Sequence, residues 1–129
     1  MRRTGSVYLV GAGPGDPKLI TVKGLETLKR ADVVIYDHLV SERLLDHCSP
    51  NATCCYVGKE KGRHAKSQQA INRLLIRCAK AGKVVVRLKG GDPVLFGRGG
   101  EEALEVAQAH VQYEIIPGVT SAIAVPAYA

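Results

Sequence analysis

The chain has no tryptophan, one phenylalanine and one methionine among 129 residues, and aromatics make up only 5%. Proteins that hold single strands pair basic grooves with aromatic platforms. Here the platforms are scarce and no Lys/Arg block is continuous, so no nucleic-acid partner is expected. Hydrophobic runs are short too, and none approaches the ~20 residues needed to span a bilayer. The start, Met1-Arg2-Arg3-Thr4-Gly5, is basic, but only four apolar residues, Val7 to Val10, come before the next glycine. That does not read as a secretory signal, and no membrane partner is expected. Cys48, Cys54, Cys55 and Cys78 lack Cys-x-x-Cys spacing, and neighbouring residues of a strand point to opposite faces. Reduced thiols and a cytoplasmic setting are therefore expected. His38, His47, His64 and His110 have no ligand-like spacing with one another or with cysteine, so no metal site is expected.

What is present reads as an ordinary globular chain, 46% hydrophobic and 23% charged, long enough for one domain with a real core. The formal charge of +6 calls for an anionic partner. Basic residues gather in Lys59-Glu-Lys-Gly-Arg-His-Ala-Lys66 and Arg87-Leu-Lys89, beside glycine turns. That placement suits a small polyanion drawn in by long-range attraction; a solvated basic face is the alternative.

Short β-rich runs alternate with helical patterns. Strands are predicted at Val7–Val10, Val33–Tyr36, Cys55–Val57, Val84–Leu88 and Tyr113–Ile116, all apolar as strands buried on both faces should be. Helices are predicted at Val22–Ala31 behind Thr21, at Glu42–His47, at Gln68–Ala81 between Ser67 and Gly82, at Gly100–Ala109, and from about Thr120. Residues Ile71, Leu74, Leu75, Cys78 and Ala79 form the stripe of a half-buried helix. The fold class expected is α/β, a mostly parallel five-stranded sheet flanked by helices.

Two glycine turns leave such strands: Val10-Gly-Ala-Gly-Pro-Gly-Asp-Pro17 and Lys89-Gly-Gly-Asp-Pro93. Glycine lets backbone come close to a ligand and turn through positive φ, and ligands of open α/β sheets lie at the carboxyl ends of the strands. The first turn is not the dinucleotide fingerprint, which needs glycine where Asp16 stands. Pro14 and Pro17 also remove two N–H groups that would hold a pyrophosphate. A ligand without phosphates fits better. Asp92 can accept from a ribose or amine, or simply form a turn. Asp37, just past Val33–Tyr36, can serve as a general base or cap its turn. Lys59, in the equivalent place on the next strand, can act as acid, as substrate clamp, or as a plain exposed lysine.

With these residues the chain resembles the uroporphyrinogen-III C-methyltransferase family, within the tetrapyrrole methylases that use S-adenosylmethionine. The resemblance runs from Val7 to Ala129. It is carried by the first glycine turn, Ala31-Asp-Val-Val-Ile-Tyr-Asp37, Tyr56-Val-Gly-Lys59, Arg87-Leu-Lys-Gly-Gly-Asp-Pro93, Phe96-Gly-Arg-Gly-Gly-Glu-Glu102 and Pro117-Gly-Val-Thr-Ser-Ala122. Departures are Val94-Leu95 where Phe-Ile is usual, Ser121 where Ala can stand, and the Cys54-Cys55 entry to the third strand. The resemblance implies two α/β domains with the donor between them. Residues 1–129 would then be the N-terminal domain, with the C-terminal domain absent from this chain. The apolar ending from Pro117, with no C-cap or polar tail, also reads as part of a longer polypeptide.

By that resemblance Pro14, Gly90, Gly91, Asp92, Leu95, Thr120 and Ser121 would contact S-adenosylmethionine, with Asp37 as proton acceptor and Lys59 as proton donor. The substrate implied is uroporphyrinogen III, methylated at two ring carbons to the dimethylated precursor of sirohaem and cobalamin, by an enzyme that is a homodimer at full length. Its many carboxylates would be met by Lys61, Arg63, Lys66 and Arg98, besides Lys59. The alternatives are a related methylase acting on a later corrin intermediate, on protein or on RNA, a truncated binding domain without turnover, and a nicotinamide oxidoreductase.

Overall fold

The computed structural model describes residues 4–94 and 98–128. The strands are β1 (Ser6–Gly11), β2 (Val33–Tyr36), β3 (Thr53–Tyr56), β4 (Val84–Lys89) and β5 (Gln112–Ile116). The helices are α1 (Val22–Arg30), α2 (Gln68–Lys80), α3 (Gly99–Gln108) and α4 (Ser121–Tyr128). The strands form one sheet in the order β3-β2-β4-β1-β5, parallel at every pairing.

Alternation along the central strands sends their side chains into two cores. Val7, Leu9, Ile35 and Val85 face Leu75, Ala79, Ala103 and Val106 of α2 and α3. Val10, Val34, Val86 and Leu88 face Leu28 of α1 and Leu44 of the segment Glu42–His47. The helix starts are capped as the sequence leads one to expect: Thr21 Oγ1 accepts from Gly24 N at 3.0 Å and Ser67 Oγ from Ala70 N at 3.1 Å. Gly82, at φ 87°, stops α2.

Two expectations need correction. β3 and β5 are not buried on both faces, because they form the edges of the sheet. Thr53 and Cys54 are exposed, as are Tyr113 and Ile115. The segment Glu42–His47 is a 3₁₀ helix rather than α, a form frequent in connectors though this run is longer than most.

The topology fixes where a ligand can sit. The chain leaves β1 toward α1 on one face and leaves β4 toward α3 on the other, and these two strands are neighbours. The connections from these exits run to opposite faces of the sheet, the arrangement of a switch point in an open α/β sheet.

Candidate functional site

At that switch point the two glycine turns meet. Gly13 N donates to Gly91 O at 3.2 Å and Gly91 N donates to Gly13 O at 2.7 Å. Both glycines have positive φ, 87° and 65°, conformations that a Cβ penalises by about 1–2 kcal/mol. The loop after β5 joins them. Asp92 accepts from Gly118 N at 3.1 Å and from Val94 N at 3.0 Å. A Cβ on Gly118 would lie 2.2 Å from Gly91 O and 2.7 Å from Gly11 Cα. Gly118→Ala must therefore push the β4 and β5 exits apart. We expect a loss of about 1–3 kcal/mol, read as a lower melting temperature; an unchanged melt would contradict the packing described.

Together the loops enclose a hollow of about 220 Å³ lined by Gly13, Pro14, Leu39, Gly90, Gly91, Thr120 and Ser121. Five residues singled out in the sequence, Pro14, Gly90, Gly91, Thr120 and Ser121, line it. Asp92 ties two of its walls together, and Leu95 lies outside the described residues. Leu39 was missed; its signal was only its place two residues after Asp37. Among the described residues no charged side chain lines the hollow. Its volume falls below the ~300–1,000 Å³ of pockets that bury a ligand, so these loops cover one side of a guest.

Because the strands are parallel, the residues that follow them share one rim. In sheet order these are Lys59, Asp37, Gly90 to Asp92, Pro14 and Thr120. Asp37 Oδ1 accepts from Leu39 N at 3.0 Å, and Oδ2 lies 3.6 Å from Arg87 Nη2. Its side chain is 23% exposed. Lys59 is exposed, and its carbonyl accepts from Tyr56 Oη at 3.1 Å. The following loop is pinned by Lys66 N donating to Val57 O at 3.0 Å and Arg63 N to Glu60 O at 2.9 Å. Lys59, Lys61, Arg63 and His64 share a surface hollow of about 540 Å³ with Glu60. Lys66 lies at the loop's end and Arg98 before α3, both exposed and neither lining that hollow.

Arg87 and Lys89 require a correction. They do not face a polyanion. Both are buried against Glu102 of α3, which is fully buried. Arg87 Nε donates to Oε2 at 3.1 Å and Lys89 Nζ to Oε1 at 2.8 Å. Gln68 Nε2 donates to Oε2 at 3.1 Å and to Asn72 Oδ1 at 2.8 Å. Burial pushes the Glu102 carboxyl up, but the charges and hydrogen bonds of Arg87 and Lys89 outweigh it and hold the carboxyl below its ordinary value. The signal in the sequence was two cations at alternate positions of an apolar strand, which must share one buried face.

Residues 6–129 match the family model of the tetrapyrrole (corrin/porphyrin) methylases. The chain is 61% identical over 123 residues to a uroporphyrinogen-III C-methyltransferase of Methanocaldococcus jannaschii, covering 95% of this chain and 51% of that protein. It is 52% identical to a siroheme synthase of Nitrosomonas europaea, covering 98% of this chain and 26% of that protein. A Thermus thermophilus uroporphyrin-III C-methyl transferase, solved with S-adenyl homocysteine, superposes with a TM-score of 0.81 at 53% identity. That match covers 95% of this chain and 52% of the other. The chain thus spans about half or less of the length of these relatives.

Proposed function

The chain belongs to the tetrapyrrole (corrin/porphyrin) methylases, and from that premise we propose that it is the donor-binding half of an S-adenosylmethionine-dependent uroporphyrinogen-III C-methyltransferase. The observation that carries this reading is the mutual bridge of Gly13 and Gly91 at the switch point, which makes one hollow of two glycine turns. Its uncharged, backbone-lined wall fits a sulfonium nucleoside, and the Thermus thermophilus relative was solved with the demethylated form of that donor.

When bound, S-adenosylmethionine supplies an electrophilic methyl group. The chain's own part is then alignment and proton handling. Pro14, Leu39 and the glycine backbone exclude water and hold the donor's orientation, while Thr120, Ser121 and Asp92 offer polar groups to its ribose and amino-acid ends. Bringing two reactants to attack geometry is worth roughly 7–11 kcal/mol. Methylation of a pyrrole carbon leaves a cationic ring that must lose a proton, and Asp37, on the same rim, is the base in reach. Lys59 is the opposing proton donor. Lys61, Arg63, Lys66 and Arg98 would hold the carboxylates of uroporphyrinogen III.

The test uses this chain fused, after Ala129, to the second half of the Methanocaldococcus jannaschii relative. Given S-adenosylmethionine and uroporphyrinogen III, the fused protein is expected to yield products carrying one and then two added methyl groups by mass spectrometry. Methylation of a different tetrapyrrole, with none on uroporphyrinogen III, would refute the substrate. In the same assay Arg63→Ala/Lys66→Ala should raise KM for the acceptor about 2- to 30-fold, since exposed ion pairs are worth about 0.2–1 kcal/mol each. An unchanged KM would make those two residues bystanders. The chain alone is proposed to bind S-adenosylhomocysteine more weakly than the fused protein, because its hollow covers one side only; calorimetry compares the two.

A further inference from the structure

Arg87 lies at the meeting point of three elements. Its Nε donates to Glu102 Oε2 on α3, Nη1 lies 3.4 Å from both Ile35 O and Leu88 O, and Nη2 is 3.6 Å from Asp37 Oδ2. We propose that Arg87 is a positioning residue for Asp37, aimed by Glu102, an inference that rests on Asp37 being the proton acceptor.

A guanidinium is a rigid planar fork, so fixing Nε on one carboxylate decides where Nη2 points. Glu102 is itself fixed, by Lys89 on Oε1 and by Gln68 on Oε2. Asp37 is thereby gripped on both oxygens, Oδ1 by the Leu39 amide and Oδ2 by Arg87. The same Leu39 lines the donor hollow, so the acceptor's orientation is tied to the donor's wall. Burying one anion with two cations is a poor way to gain stability, since apolar residues of equal volume often do as well or better. The ion-paired carboxylates differ where that matters: Glu102 is 0% exposed and Asp37 23%, with Arg87 at 4% between them. The network surfaces at the group that would meet substrate.

Two variants keep the charge count and so favour folding: Arg87→Lys, whose single amine cannot reach Glu102 and Asp37 together, and Glu102→Asp, which draws Arg87 back by one methylene. A misplacement of about 1 Å costs roughly 10²-fold in rate. In the fused protein each variant is expected to lower kcat about 10- to 100-fold and leave KM for the methyl donor within about twofold, on the scale of that principle. The Leu39 amide resonance should shift in both. Combined with Asp37→Asn, either variant should add no further loss, because both act through one group. A folded variant with wild-type kcat, or losses that multiply in the double variant, would overturn the proposal. If Asp37→Asn alone is slow while Arg87→Lys and Glu102→Asp are fast, only the positioning role falls. If Asp37→Asn itself turns over at full speed, the reading of Asp37 as acceptor falls, and the positioning role with it.

Discussion

Glu102→Gln is expected to destabilise the fold by about 3–5 kcal/mol, the cost typical of removing one partner from a buried ion pair. Glutamine preserves the volume and can still accept from Lys89, so the loss measures charge rather than packing. It leaves Arg87 and Lys89, both buried, without the anion that each contacts at 3.1 and 2.8 Å. Against a typical total stability of 5–15 kcal/mol, that is a large share of the whole. The pH dependence follows from the lowered carboxyl of Glu102. Its folded value lies below the unfolded value of ~4.3. Its contribution is therefore complete above that pH and disappears as pH falls through the folded value. Urea midpoints for wild type and variant should differ most at neutral pH and draw together as pH falls through the folded value of Glu102. A gap below about 1 kcal/mol at neutral pH would mean that the two cations find relief elsewhere.

Local signals in the chain proved legible because they act over a few residues. Thr21, Ser67 and Gly82 mark helix ends through their own hydrogen bonds and dihedrals, and the positions of α1 and α2 followed. The glycine turns were readable as rim loops, since a glycine pair leaving an apolar strand has few other uses. Strand order was not readable. It is set by pairings between residues far apart in sequence, such as Tyr8 with Val86 and with Glu114, and nothing in Thr53–Tyr56 or Gln112–Ile116 by itself says edge. The same non-locality hid the role of Arg87 and Lys89. Their partner stands 15 and 13 residues downstream, at a helix start where an acidic residue already has a sufficient reason to be, the positive end of the helix dipole. Two glutamates there, Glu101 and Glu102, look equivalent in sequence; only the fold turns one outward and buries the other.

Asp37→Asn is expected to slow turnover by about 10²- to 10⁴-fold, the range that general base catalysis supplies, while donor affinity stays within about twofold. Asparagine keeps an oxygen for the Leu39 amide, so the loop wall of the hollow, Leu39 included, should hold its shape. Arg87 would lose one counter-charge but retain Glu102 at 3.1 Å, so the fold should lose less stability than in Glu102→Gln. That separation is the point of making both variants. Removing Glu102 is expected to cost stability and removing Asp37 to cost turnover, because Asp37 sits on the rim with a fifth or more of its side chain open to solvent. Loss of a base that acts only after the methyl group has moved should lower kcat, because the methyl transfer before it is untouched. Steady-state turnover in the fused protein, with calorimetric titration of S-adenosylhomocysteine on the same sample, measures both halves of the expectation. A variant within about threefold of wild type, far inside the range expected of a lost general base, would show that the ring's proton leaves by another route. Weakened donor binding would instead assign Asp37 to the wall of the hollow, holding Leu39 in place.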